Sequence, residues 1–164
     1  MYKLDVGCGL KKKEDFIGID KKPLEGVDVV LNLDTEDVRL PYEDNSVEYI
    51  YCNHVLEHIT NLIPLMNEFY RVLSTGSTLE INVPIVGAET NQGFIMGEGA
   101  FRDPTHVKFF TRDSFLYFEK GYMGNADYGI ETNFKQTFVE IKISSAPAGT
   151  AEVNLYSRYR TIKE

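Results

Sequence analysis

The 164-residue chain contains no tryptophan, so indole emission cannot report ligand binding. Cysteine is almost as scarce, with Cys8 and Cys52 alone. A disulfide framework needs more, and no C-x-x-C pair offers metal-ligand spacing, so no metal site is expected. No apolar run approaches the ~20 residues of a membrane-spanning helix. Met1-Tyr2-Lys3-Leu4-Asp5 runs straight into a strand pattern, without the features of a leader. The expected setting is the cytoplasm, with no membrane partner. Positive charge is in the minority: 17 Lys and Arg stand against 25 Asp and Glu, a formal net charge of -8. That balance repels phosphate backbones and counts against nucleic acid as a substrate. It suits a cationic cofactor or a neutral small molecule. Repeats and linkers are also missing, so 1–164 reads as one domain.

What is present is a series of short apolar runs bounded by Gly, Pro, Asp and Asn. Leu4 to Val6, Phe16 to Ile19, Val27 to Leu33 and Val47 to Cys52 read as buried strands. Ile59 to Leu73 has apolar residues at helical spacing, with Thr60 or Asn61 as its cap and Ser74-Thr75-Gly76 as its stop. Leu79 to Val83 reads as a fifth strand. Val86 to Phe110 is glycine-rich and aperiodic, and reads as a long functional loop with one short helix. Thr111 to Lys120 reads as a short helix capped by Thr111. Phe134 to Ser144 and Glu152 to Ile162 alternate as an antiparallel hairpin around Pro147-Ala148-Gly149. The expected fold is α/β: an open, mostly parallel sheet with an antiparallel hairpin near its end and few helices. Ligands of such sheets bind beyond the carboxyl ends of the strands.

Gly7-Cys8-Gly9 follows the first strand at that edge. Glycines there admit close backbone approach and unusual dihedrals, although a tight turn needs the same residues. A dinucleotide loop would carry a third glycine and open a helix; Lys12 stands in that glycine's place and a strand follows soon after. That disfavours a nicotinamide dehydrogenase. Asp20 ends the second strand, where a carboxylate can accept both hydroxyls of a ribose.

Leu40 to Ile50 (LPYEDNSVEYI), Asn53 to Ile59 (NHVLEHI) and Glu68 to Leu79 (EFYRVLSTGSTL) together resemble the class I, Rossmann-like methyltransferases that use S-adenosyl-L-methionine. The likeness covers Leu4 to Pro84. The chain departs from the pattern where a helix normally joins strands one and two. Only Leu10 to Asp15 lie there, as in a short-form subset of the family. Ser74-Thr75-Gly76-Ser77 also lacks the usual Pro and second Gly.

The resemblance implies roles. Asp5, Gly7, Cys8 and Gly9 would line the methionine end of the cofactor, and Asp20 would hold its ribose. Leu33 and Asp34 would flank the adenine, with Asp37 a competing choice. Asn53 and His54 would sit beside the methionine portion and the transferring methyl. Phe101 to Thr111 (FRDPTHVKFFT) is similar to a loop of the short-form subset. His106 there can act as a base at neutral pH or order the loop; His54 is the second candidate base, and His58 reads as a brace. The implied reaction is methyl transfer to a small polar acceptor such as a sugar or metabolite hydroxyl. The alternative is a non-catalytic module that binds the cofactor or a partner protein. The chain is expected as a monomer or homodimer, the latter by edge pairing of the terminal hairpin.

Overall fold

The computed structural model describes residues 1–91, 93–145 and 153–164. The chain runs β1 (Tyr2–Val6), β2 (Ile17–Asp20), β3 (Val29–Val30), β4 (Val47–Asn53), α1 (Leu62–Val72), β5 (Leu73–Pro84), β6 (Gly87–Thr90), β7 (Gly93–Met96), α2 (Gly99–Arg102), β8 (Phe134–Ser145) and β9 (Val153–Lys163). Among the described residues there are also three 3₁₀ segments, Leu56–His58, Ser114–Phe118 and Tyr122–Tyr128. Seven strands form one sheet in the order β3-β2-β1-β4-β5-β9-β8. The first five are parallel, β9 is antiparallel to both its neighbours, and β6 and β7 make a separate hairpin. Among the described residues no helix is long and apolar enough to cross a membrane.

Alternation along the strands gives the sheet two unlike faces. Val6, Ile19, Cys52, Ile81 and Tyr159 lie in register on one face and are buried. The apolar stripe of α1, with Leu65, Met66, Phe69 and Val72, joins the same core, and Phe115 packs on the Tyr159 ring. The next row reads Gly18, Asp5, Tyr51, Glu80 and Arg160. No helix lies between β1 and β2 or between β2 and β3 to cover it. Polar pairs take over that task. Glu80 accepts from Arg158 Nε at 2.9 Å, Arg160 Nε at 3.0 Å and the Tyr49 hydroxyl at 2.5 Å. The Lys13 ammonium sits 4.2 Å from the Tyr51 ring centre. Burial alone would raise the Glu80 pKa, but these donors outweigh it and hold the carboxyl down at about 2.

Several elements differ from the sequence expectation. The run Val27 to Leu33 pairs only at Val29 and Val30, because Asp28 turns its carboxylate back to the Gly18 amide and Lys12. The helix begins at Leu62, later than Ile59, and its cap residue Asn61 makes no side-chain cap bond. Ser74-Thr75-Gly76 does not end the helix in a turn. It lies within β5, where Gly76 takes φ +80° beside a shift in the pairing with β4. Val86 to Phe110 holds the β6–β7 hairpin as well as the short α2. Thr111 is not a helix cap: the 3₁₀ segment starts after Asp113, and the Thr111 amide donates to Ser114 Oγ at 2.8 Å. The turn Pro147-Ala148-Gly149 lies outside the described residues.

Candidate active site

Because β1, β2, β3, β4 and β5 run the same way, the residues that follow them gather at one edge. A cleft of about 910 Å³ opens there. Its size is that of a small-molecule site, which typically spans about 300–1,000 Å³.

The floor is the turn after β1. Gly7 and Cys8 both donate to the Ile19 carbonyl, at 2.7 and 3.2 Å, which ties the turn to β2. Gly7 has φ +68°, and a Cβ added there would stand 2.1 Å from Val55 Cγ2. Glycine is therefore required on two counts, backbone conformation and space. The Gly9 amide donates to Asp20 Oδ2 at 3.0 Å and the Lys22 amide to Asp20 Oδ1 at 3.0 Å. Asp20 is thus fixed by two backbone donors, while each oxygen retains accepting capacity toward the cleft.

The far wall holds Leu31, Leu33 and Ile59, with Asp34 beside them. Asp34 accepts the Asn61 backbone amide at 2.8 Å and its side-chain amide at 3.2 Å, so it supplies the cap at the start of α1 that Asn61 does not. Burial acts to raise the Asp34 pKa, but hydrogen bonds from Asn61 and Thr60 carry it below the usual carboxylate value.

His54 stands across the cleft, in a left-handed turn with φ +54° directly after β4. Its backbone amide donates to the Asn82 carbonyl at 2.9 Å. Its Nδ1 lies 3.0 Å from Oε1 of Glu57, a carboxylate only 1% exposed. An ionised carboxylate accepts, so Nδ1 carries the proton and the neutral ring has its lone pair on Nε2.

Gly7, Asp20, Leu33, Asp34 and His54 therefore meet around one cleft, while other residues singled out from the sequence stand back from its wall. Asp5 belongs to the opposite face of the sheet and accepts the Lys13 amide at 2.6 Å. Burial pushes its pKa up against that bond and the Lys13 and Lys12 charges. Cys8 is turned toward Gly18, and burial raises its thiol pKa. Gly9 acts through its bond to Asp20. Asn53 ends β4 in register with Asn82, and Asp37 is not in the wall. His106 lies behind His58, ring centres 4.9 Å apart and edge to face. Lys21, Lys22, Asn32, His58 and Thr105 join the wall without having been picked out as cleft residues. The two lysines directly follow Asp20 in sequence. His58 and Thr105 meet only through the fold.

Residues 4–81 match the family model described as a methyltransferase domain. Those residues run from β1 into β5. That match covers a little under half of the chain, and the sheet as a whole has the class I methyltransferase fold. Among solved structures, this chain resembles the YcgJ protein of Bacillus subtilis, with 14% identity and a TM-score of 0.62 over 99% of this chain and 92% of that one. It also resembles an S-adenosylmethionine-dependent methyltransferase of Mesorhizobium loti, with 15% identity and a TM-score of 0.57 over 99% and 90%. The cyclase SpnF shares the fold too, with 16% identity and a TM-score of 0.64 over 99% and 75%. Identities this low speak for the fold alone, and a cyclase among them shows that the fold does not fix the chemistry. No curated protein sequence matches the chain.

Proposed function

We propose that the chain is a methyltransferase that binds S-adenosyl-L-methionine in this cleft and passes its methyl group to a small polar acceptor, such as a sugar or metabolite hydroxyl. The observation that carries the proposal is Asp20, fixed by the Gly9 and Lys22 amides at the mouth of a cleft of nucleoside size. The residues present fit the cofactor. Asp20 would take the ribose hydroxyls, Leu33 and Asp34 would flank the adenine, and the Gly7 turn would meet the methionine portion. Bound there, the cofactor would supply an electrophilic methyl group on a sulfonium.

What remains for the protein is positioning and a proton. Displacement at a methyl needs the nucleophile held in line near 3 Å, which binding alone supplies. A hydroxyl acceptor also benefits from a base. His54 lines the cleft and His106 does not, so the geometry favours His54 for that part. The proton would pass from the acceptor hydroxyl to His54 Nε2, and the buried Glu57 carboxylate would stabilise the imidazolium through Nδ1. His106 then orders the loop through its bond to the Ala100 carbonyl at 2.7 Å.

Calorimetric titration with S-adenosylhomocysteine tests the reading. The expected result is stoichiometric binding that Asp20→Ala weakens by at least tenfold, since a charge-assisted pair of bonds is worth about 1.5–3 kcal/mol per bond. Equal affinity in the two proteins, or none in either, would overturn it.

A further inference from the structure

After β4 the chain passes through His54 into the 3₁₀ turn Leu56–His58 and directs Glu57 inward. The segment around Thr105 returns over this turn, and the Val107 and Lys108 amides donate to the Glu57 carbonyl at 2.8 and 3.1 Å. One carboxylate oxygen of Glu57 and one ring nitrogen each of His58 and His106 are thereby brought within 4.8 Å of one another.

Three details make this more than a chance cluster. Glu57 Oε1 accepts from His54, but Oε2 is buried without any hydrogen-bond partner. A buried anionic oxygen left bare is costly, and a cation is the natural remedy. The His106 Nδ1 lies 2.7 Å from the Ala100 carbonyl oxygen, which can only accept. Its proton is therefore on Nδ1 and its lone pair on Nε2; Asp103 Oδ2, 3.8 Å from that Nε2, is beyond hydrogen-bond range. Thr105 gives its hydroxyl proton to Asp103 Oδ1 at 2.6 Å, so Thr105 Oγ1, 3.0 Å from His58 Nδ1, accepts from that ring. His58 too then has its lone pair on Nε2. Imidazoles that ligate metals are commonly oriented in this manner, with the second ring N–H given to a protein oxygen.

We infer that Glu57, His58 and His106 bind one divalent first-row cation of the Zn²⁺ kind beside the cleft. Two imidazoles and one carboxylate favour such an ion over Mg²⁺, which prefers oxygen donors and keeps its waters. His58 belongs to the cleft wall, so a further ligand to the cation would come from the cleft. An acceptor oxygen held there would lose its proton more readily. That use rests on the methyl-transfer reading, whereas the cation site does not.

Co²⁺, which reports N and O ligation through visible absorption, tests the site in the full chain. The expected result is one equivalent bound, with ligand-field bands that Zn²⁺ removes by displacement. Glu57→Gln and His106→Ala should each weaken Co²⁺ at least tenfold, and His58→Ala with His106→Ala should abolish the bands. Circular dichroism would identify a variant that does not fold, and the remaining variants then carry the comparison. Absent bands in the parent, or equal Co²⁺ affinity in the parent and the folded double variant, would overturn the inference. S-adenosylhomocysteine titration of the same samples reports separately on the cofactor cleft.

Discussion

The two faces of the sheet reach burial by opposite means. On one, Phe69 and its neighbours on α1 share a mainly apolar core with Val6, Cys52 and Ile81, into which Thr161 and Lys163 of β9 are also buried. On the other, where the first helices of the fold are missing, Glu80 is buried by the arginines and tyrosine that bond to it. A parallel sheet ordinarily needs helices on both sides. Here side chains long enough to fold down over the strands, each with an apolar stem, do that work on one side.

The comparison breaks most visibly at Glu80. Glu80→Ala leaves the partly exposed Arg158 and Arg160 without their carboxylate and should cost about 1–3 kcal/mol, against about 3–5 kcal/mol for Phe69→Ala on the apolar face. Urea unfolding would measure both. A cost below about 1 kcal/mol would instead mark the polar face as ordinary solvated surface.

Acid sharpens the same contrast. The Glu80 pKa is about 2 in the folded chain against an ordinary 4.5. A depressed folded value means that its contribution is complete above about pH 4.5 and is lost as the pH falls toward 2. Thermal unfolding followed across that range should show the midpoint falling in the parent, and falling less in Glu80→Gln.

The smallest effect is expected at Lys13. Its ammonium caps the Tyr51 ring at 4.2 Å from an exposed position, so Lys13→Ala should cost only about 0.5–1 kcal/mol. Its bond to Asp5 is made by the backbone amide and survives the change.

Much of this architecture was legible in the chain itself. β1, β2 and β4 announce themselves as short apolar runs, and Gly7, Asp20 and His54 follow those runs directly, so parallel strands were bound to bring them together. The misreadings have local causes. Ser74-Thr75-Gly76 has the composition of a helix stop, but its glycine serves a strand irregularity at φ +80°. The β6–β7 hairpin is masked by glycines in its own strands; Gly87 has one because the Phe94 ring lies where a Cβ would be. The cluster of Glu57, His58 and His106 could not be read from spacing, since its last member comes from a loop far along the chain. The amides of Val107 and Lys108, together with the bond between His58 and Thr105, bring that loop back.

The near-absence of chain between β1 and β2 also bears on how the sheet assembles. Asp20 reaches the Gly9 amide across 11 residues, whereas Arg158 reaches Glu80 across 78. Short closures are entropically cheap and form first, long ones late. The expected order is that the β1–β2 pair condenses early and that β9 docks its arginines on β5 afterwards. An interaction formed after the rate-limiting step governs how long the native state lasts more than how fast it is reached. Glu80→Gln should then speed unfolding more than it slows refolding, as stopped-flow kinetics would show.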